Sequence, residues 1–140
     1  KLESNGAIIL QENIHDTSIT SLEYKNNIMG HIYVSWLHPF KEHRFVVIGS
    51  KGMLSFEDSA KGKPLTFYDK TVLWEDGMPK ASSGNMEIIN YDKELPLDRE
   101  LNYFIEHLDG RPLNKCNGQS AIEIINILES SSKKLMDKNS

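Results

Sequence analysis

The sequence predicts an α+β fold: a mainly antiparallel open β-sheet with two C-terminal amphipathic helices on one face. Three observations carry that expectation. Short runs of branched and aromatic residues, separated by turn residues, fill positions 17 to about 75. Two stretches with helical apolar spacing follow, near 96–108 and 119–136. The chain has 140 residues, 39% hydrophobic and 26% charged, with nine glycines and five prolines, which suits a single domain spanning 1–140 with one core.

The strands come first. Residues 18–24 lead through Lys25-Asn26-Asn27 into 31–37, where Ile32, Val34 and Trp36 alternate with His31, Tyr33 and Ser35, the period of a hairpin strand. Residues 45–48, the turn Gly49-Ser50-Lys51-Gly52 and residues 53–56 read as a second hairpin, its glycines able to take a positive φ. Residues 65–68 with 72–74 read as a third. Short turns between consecutive strands favour an antiparallel meander over parallel βαβ units.

From Gly77 to Asn85 no period survives, and a loop is expected; Ile88, Ile89 and Tyr91 add one more strand. Pro96 suits a helix start and Asp98 and Glu100 its positive end, with Leu97, Leu101, Phe104, Ile105 and Leu108 on one stripe before Gly110 and Pro112. The second helix carries Ala121, Ile122, Ile125, Leu128 and Leu135 on its expected buried face, with Lys133 and Lys134 near its negative end. Residues 137–140 are expected to fray.

Composition excludes several classes of partner. Sixteen Lys plus Arg against twenty Asp plus Glu leave a net charge of -4, so there is no field to hold nucleic acid. No apolar run approaches the roughly 20 residues that span a bilayer, and no signal peptide opens the chain, so no membrane partner is expected. A single cysteine, Cys116, makes neither an internal disulfide nor a thiolate cage, which fits a reducing cytoplasm. Lys1 stands where a start Met would, which suggests a chain cut from something longer.

The segment from Trp36 to Arg44 is the densest candidate for chemistry. It leaves a strand carrying an indole, the imidazoles of His38 and His43, and the cations Lys41 and Arg44, which could hold a phosphate or carboxylate. A core indole and solvated cations account for the same residues more simply, since exposed Lys and Arg are the norm. His31, His38 and His43 lack the spacing of a helical metal pair, and His15-Asp16 would point to opposite faces of a strand. The Gly-Ser-Lys-Gly turn lacks phosphate-loop spacing and precedes a strand rather than a helix. Glu57-Asp58, and Glu12 with Asp16, are carboxylates of no readable geometry, and Cys116 has no identifiable base partner. Gly-x-Gly-x-x-Gly after a strand is absent.

The run His31-Ile-Tyr-Val-Ser-Trp-Leu-His-Pro-Phe-Lys41, then Val46-Val-Ile-Gly-Ser-Lys-Gly-Met-Leu54, then Leu95-Pro-Leu-Asp-Arg-Glu-Leu101 with Phe104, resembles the C-terminal domain of the Gfo/Idh/MocA oxidoreductases. Within them it is most similar to nucleotide-sugar 3-dehydrogenases acting on UDP-linked N-acetylated sugars. The resemblance covers residues 16 to about 134. It implies a substrate-binding and oligomerisation domain of an NAD(P)-dependent enzyme acting on a sugar CH-OH group. A missing N-terminal Rossmann domain would carry NAD or NADP, with no cofactor in this chain, and a homo-oligomer would form through the open sheet face. The family's catalytic residues are a Lys in a Glu-Lys-Pro motif and a His and an Asp on a helix. No residue here takes those roles, because Gly62-Lys63-Pro64 lacks the Glu and His15-Asp16 has the wrong order. Trp36, His38, Lys41 and Arg44 carry over as substrate-binding candidates facing a sugar or its diphosphate. The other readings are a freestanding module that pairs through its sheet face and, with no motif behind it, a small hydrolase.

Overall fold

The structure is a computed structural model that describes residues 1–82 and 84–137. Its fold is α+β, in the order β1 (Leu2–Ala7), β2 (Thr17–Glu23), β3 (Met29–Ser35), β4 (Arg44–Gly49), β5 (Gly52–Glu57), β6 (Leu65–Tyr68), β7 (Val72–Glu75), β8 (Met78–Ala81), β9 (Met86–Ile89), α1 (Pro96–Glu106) and α2 (Gly118–Asp137). All strand pairs among the described residues are antiparallel. The strands divide into three sheets, β1-β2-β3, β4-β5-β6-β9 and β7-β8, rather than running on as one meander. The chain forms two compact units, residues 1–39 with 100–140, and residues 40–99, so the boundary falls inside α1.

In the first unit, β2 and β3 form the expected hairpin. Asn26 and Asn27 take φ of 62° and 58° in its turn, a region Asn tolerates, and Tyr24 N–H donates to Ile28 O at 2.8 Å. The opening strand β1 lies ahead of the expected strand region. Its sequence Leu-Glu-Ser-Asn-Gly-Ala has neither β-branched nor aromatic residues and no alternating period, so pairing with β2 and cover from α2 decide its conformation.

The helix α2 corrects the expected buried face. Ser120, Ile127, Ser131 and Leu135 are the half-buried residues of α2; of the expected face only Leu135 is among them, while Ala121, Ile122, Ile125 and Leu128 are exposed. The reason lies at the contact with β1. Ser131 Oγ bonds Ser4 Oγ at 2.8 Å and Thr20 Oγ1 at 2.9 Å, and those two bond each other at 3.0 Å, so hydroxyls rather than apolar stripes fix the helix rotation. Gly6 allows the close approach: a Cβ there would lie 2.7 Å from Thr17 O and 3.0 Å from Leu135 Cδ2. Among the described residues no hydrophobic side chain is buried; the buried ones are Ser4, Asp16, Thr20 and Thr66. The α1 stripe of Leu97, Leu101, Phe104, Ile105 and Leu108 is exposed.

In the second unit, β4 and β5 form the expected hairpin about Ser50-Lys51. The third hairpin is corrected. β6 pairs with β9, and β7 pairs with β8 through a turn in which Asp76 and Gly77 take φ of 51° and 75°. An Asp-Gly pair suits that mirror-image turn, so residues 78–81 are a strand where a loop was expected. Asp69 N–H to Asn85 O and Ser82 N–H to Thr71 O, both 2.9 Å, join the two ladders into one long hairpin. Ser83 lies outside the described residues, as do 138–140, where fraying was expected. Among the described residues no helix is long and apolar enough to cross a membrane.

Candidate functional site

Trp36 directly follows β3. Its N–H donates to Asp16 O at 2.8 Å, while its side chain is 83% exposed, so the indole is a surface group and not core. His38 is exposed as well. Both belong to the first unit; Lys41 and Arg44 belong to the second, and Lys41 is exposed there.

Arg44 opens β4 directly opposite Glu57, the last residue of β5. Its Nε pairs with Glu57 and its Nη2 with Glu42. Past the strand ends the ladder continues, with Asp58 N–H donating to His43 O at 2.9 Å and His43 N–H to Ser59 Oγ at 3.0 Å. The Asp58 carboxylate takes Lys63 Nζ at 2.6 Å and lies 3.6 Å from His43 Nδ1. The Lys63 ammonium, more than His43, holds the Asp58 carboxyl below its ordinary value, and Asp58 in turn raises Lys63. Tyr91 OH donates to Lys63 O at 2.6 Å, and the Tyr91 ring meets Phe56 edge-on at 6.0 Å. Exposed pairs of this kind add little stability. Their effect is directional: they set where the guanidinium and ammonium point.

Sequence reasoning singled out Arg44 and missed Glu42 and Lys63 as its surroundings. The signal for Glu57 was present, because counting back from the Gly49 and Gly52 turn places 44 opposite 57.

The His15-Asp16 pair resolves into a structural role. Asp16 Oδ2 accepts the N–H groups of Ile9 and Leu10, both at 2.8 Å, which closes the β1–β2 connection. Those N–H groups, Leu10's first, pull its carboxyl below the ordinary aspartate value against the opposing effect of burial. A groove of about 350 Å³ in the first unit runs between Leu2, Leu22 and Tyr24 on one side and Ile127 on the other. Among the described residues no three His, Cys, Asp or Glu side chains gather as metal donors.

This arrangement is that of an α+β domain presenting polar side chains at strand ends. Residues 3–55 match the family model of the GFO/IDH/MocA C-terminal domain, from β1 through most of β5, and the match supports that family. Neither the curated proteins nor the solved structures hold a match.

Proposed function

We propose that this chain acts as the C-terminal substrate-binding and oligomerisation domain of an NAD(P)-dependent sugar or nucleotide-sugar dehydrogenase, without catalysis of its own. The observation that carries this reading is the match of residues 3–55 to the GFO/IDH/MocA C-terminal domain. Trp36 and His38 in the first unit, and Lys41 and Arg44 in the second, are the proposed substrate contacts. Support for a cofactor held outside these residues comes from their antiparallel strand pairs, where a dinucleotide fold uses parallel strands and a Gly-rich turn into a helix. NAD or NADP therefore belongs, in this proposal, to a Rossmann domain of the parent enzyme. Oligomerisation is supported by the sheet β4-β5-β6-β9, whose Phe45, Val46, Val47 and Ile48 are all exposed. A cytoplasmic setting accords with the single cysteine.

The test is turnover. The complete gene product is expected to reduce NAD or NADP with a sugar from a panel of free and UDP-linked sugars, and the 140-residue chain alone to reduce neither. A complete product inert with the whole panel overturns the reading. The exposed sheet faces also suit a freestanding assembly module, which would self-associate while the complete product showed no turnover.

A further inference from the structure

We infer that β4 is a pairing edge: a second copy of this chain adds its own β4 antiparallel to it, so that two sheets join strand to strand. The inference rests on the oligomerisation part of the proposed function and moves its place from a sheet face to a strand edge. β4 is the outermost strand of β4-β5-β6-β9, and all 6 of its residues are exposed. Edge strands are normally guarded by charge, proline or an interruption, because their open backbone recruits other strands. Here β8 carries Pro79 and Lys80, β9 carries Glu87, and β3 carries Gly30 and His31. The run Phe45-Val-Val-Ile48 of β4 has no such guard and consists of residues that suit a strand.

Strand register shows which backbone groups are open. One step past the Arg44–Glu57 pair, Asp58 N–H donates to His43 O at 2.9 Å, so 43 is a hydrogen-bonded position. Antiparallel bonds fall on every second residue, so Phe45, Val47 and Gly49 bond β5, while Arg44, Val46 and Ile48 turn their N–H and C=O groups away from it. That pattern is complementary to itself. With Val46 set against its own counterpart, Arg44 falls opposite the counterpart of Ile48, and every outward N–H meets an outward C=O. The same register puts Phe45 opposite the counterpart of Val47, so the faces of the two sheets run on continuously. Charge selects the antiparallel sense. Arg44 is the charged residue of β4, and the two guanidiniums lie at opposite ends, roughly 14 Å apart along the strand, where a parallel pair would stack them. Each is also held by Glu42 and Glu57 of its own chain. A two-fold pair uses the edge of both copies, so association stops at a dimer.

The experiment is residue-resolved amide hydrogen exchange on the full 140-residue chain, at concentrations that span its self-association as followed by sedimentation velocity. The amides of Arg44, Val46 and Ile48 are expected to gain protection of about tenfold or more as the dimer forms, while those of Phe45 and Val47 are protected throughout. Val46→Lys sets two ammonium groups against each other across the two-fold axis and is expected to raise the dimer dissociation constant about tenfold. Its circular-dichroism spectrum should match the wild type, because Val46 is exposed. If the variant unfolds, the wild-type exchange pattern decides alone. A dimer without the added protection, or one that a folded Val46→Lys leaves intact, overturns the edge and leaves oligomerisation through a face standing. A chain that stays monomeric at every concentration overturns both.

Discussion

The two larger sheets solve the same problem in opposite ways. In β1-β2-β3 one face carries Ser4, Thr20 and Gly6 and receives α2 through hydroxyl contacts, while the other mixes Glu3, Asn5 and Ser21 with the exposed Ile19, Met29 and Tyr33. In β4-β5-β6-β9 Phe45, Phe56, Leu65 and Ile89 stand in register on one face, while the other carries Ile48, Met53, Tyr68 and Met86 together with Ser55, Thr66 and the Arg44–Glu57 pair. An antiparallel sheet normally keeps one wet face. The second sheet thus has one largely apolar face and one mixed face, whereas the first sheet seats a helix on the face that carries its hydroxyls. The difference separates a seat that fixes geometry from a sheet whose first strand leaves Phe45, Val46, Val47 and Ile48 exposed.

The largest disturbance is expected where the first sheet admits its helix. Gly6→Val puts side-chain atoms against Thr17 O, His15 and Leu135, and because one of these is backbone the strain cannot be relieved by a rotamer change. A loss of about 3 kcal/mol is expected, read by thermal melts, and a loss below the noise would show that α2 is not seated there. Asp16→Ala comes next, since it strands two backbone N–H groups. The lowered carboxyl also gives a pH signature. Its contribution is complete above the ordinary aspartate value of about 3.9 and fades as pH falls toward the lowered folded value, so Asp16→Asn should flatten the acid limb of the melting temperature. Ser131→Ala is expected to cost about 1 kcal/mol, leaving Ser4 and Thr20 bonded to each other.

The second sheet should respond in the opposite sense. Phe45→Ser with Ile48→Ser is expected to change folding stability by no more than about 0.5 kcal/mol per site, because both side chains are exposed. Sedimentation velocity should nevertheless show weaker self-association. A large loss of stability with no change in association would place these residues in a core instead.

Much of the second unit was legible because turn chemistry is local. Gly49 and Gly52 set the β4–β5 register, and with it Arg44 opposite Glu57. The Asp76-Gly77 turn carried an equally local signal, yet the Pro79 and Lys80 that follow look like loop residues and hid β8. The first unit was less legible. β1 and the rotation of α2 depend on Ser4, Thr20 and Ser131, which meet across up to 127 positions of sequence, and hydroxyls carry no hydrophobic period. At the candidate site, residue types in 36–44 pointed to Arg44 and the turn register to Glu57, whereas the pairing with Glu42 depends on the backbone path ahead of β4.

The most direct test of the proposed role is steady-state kinetics of the complete gene product with its best sugar, wild type against Lys41→Ala. A substrate domain predicts a raised KM for the sugar with the nicotinamide KM unchanged. Identical constants for both substrates in the two proteins would contradict the placing of this segment at the sugar.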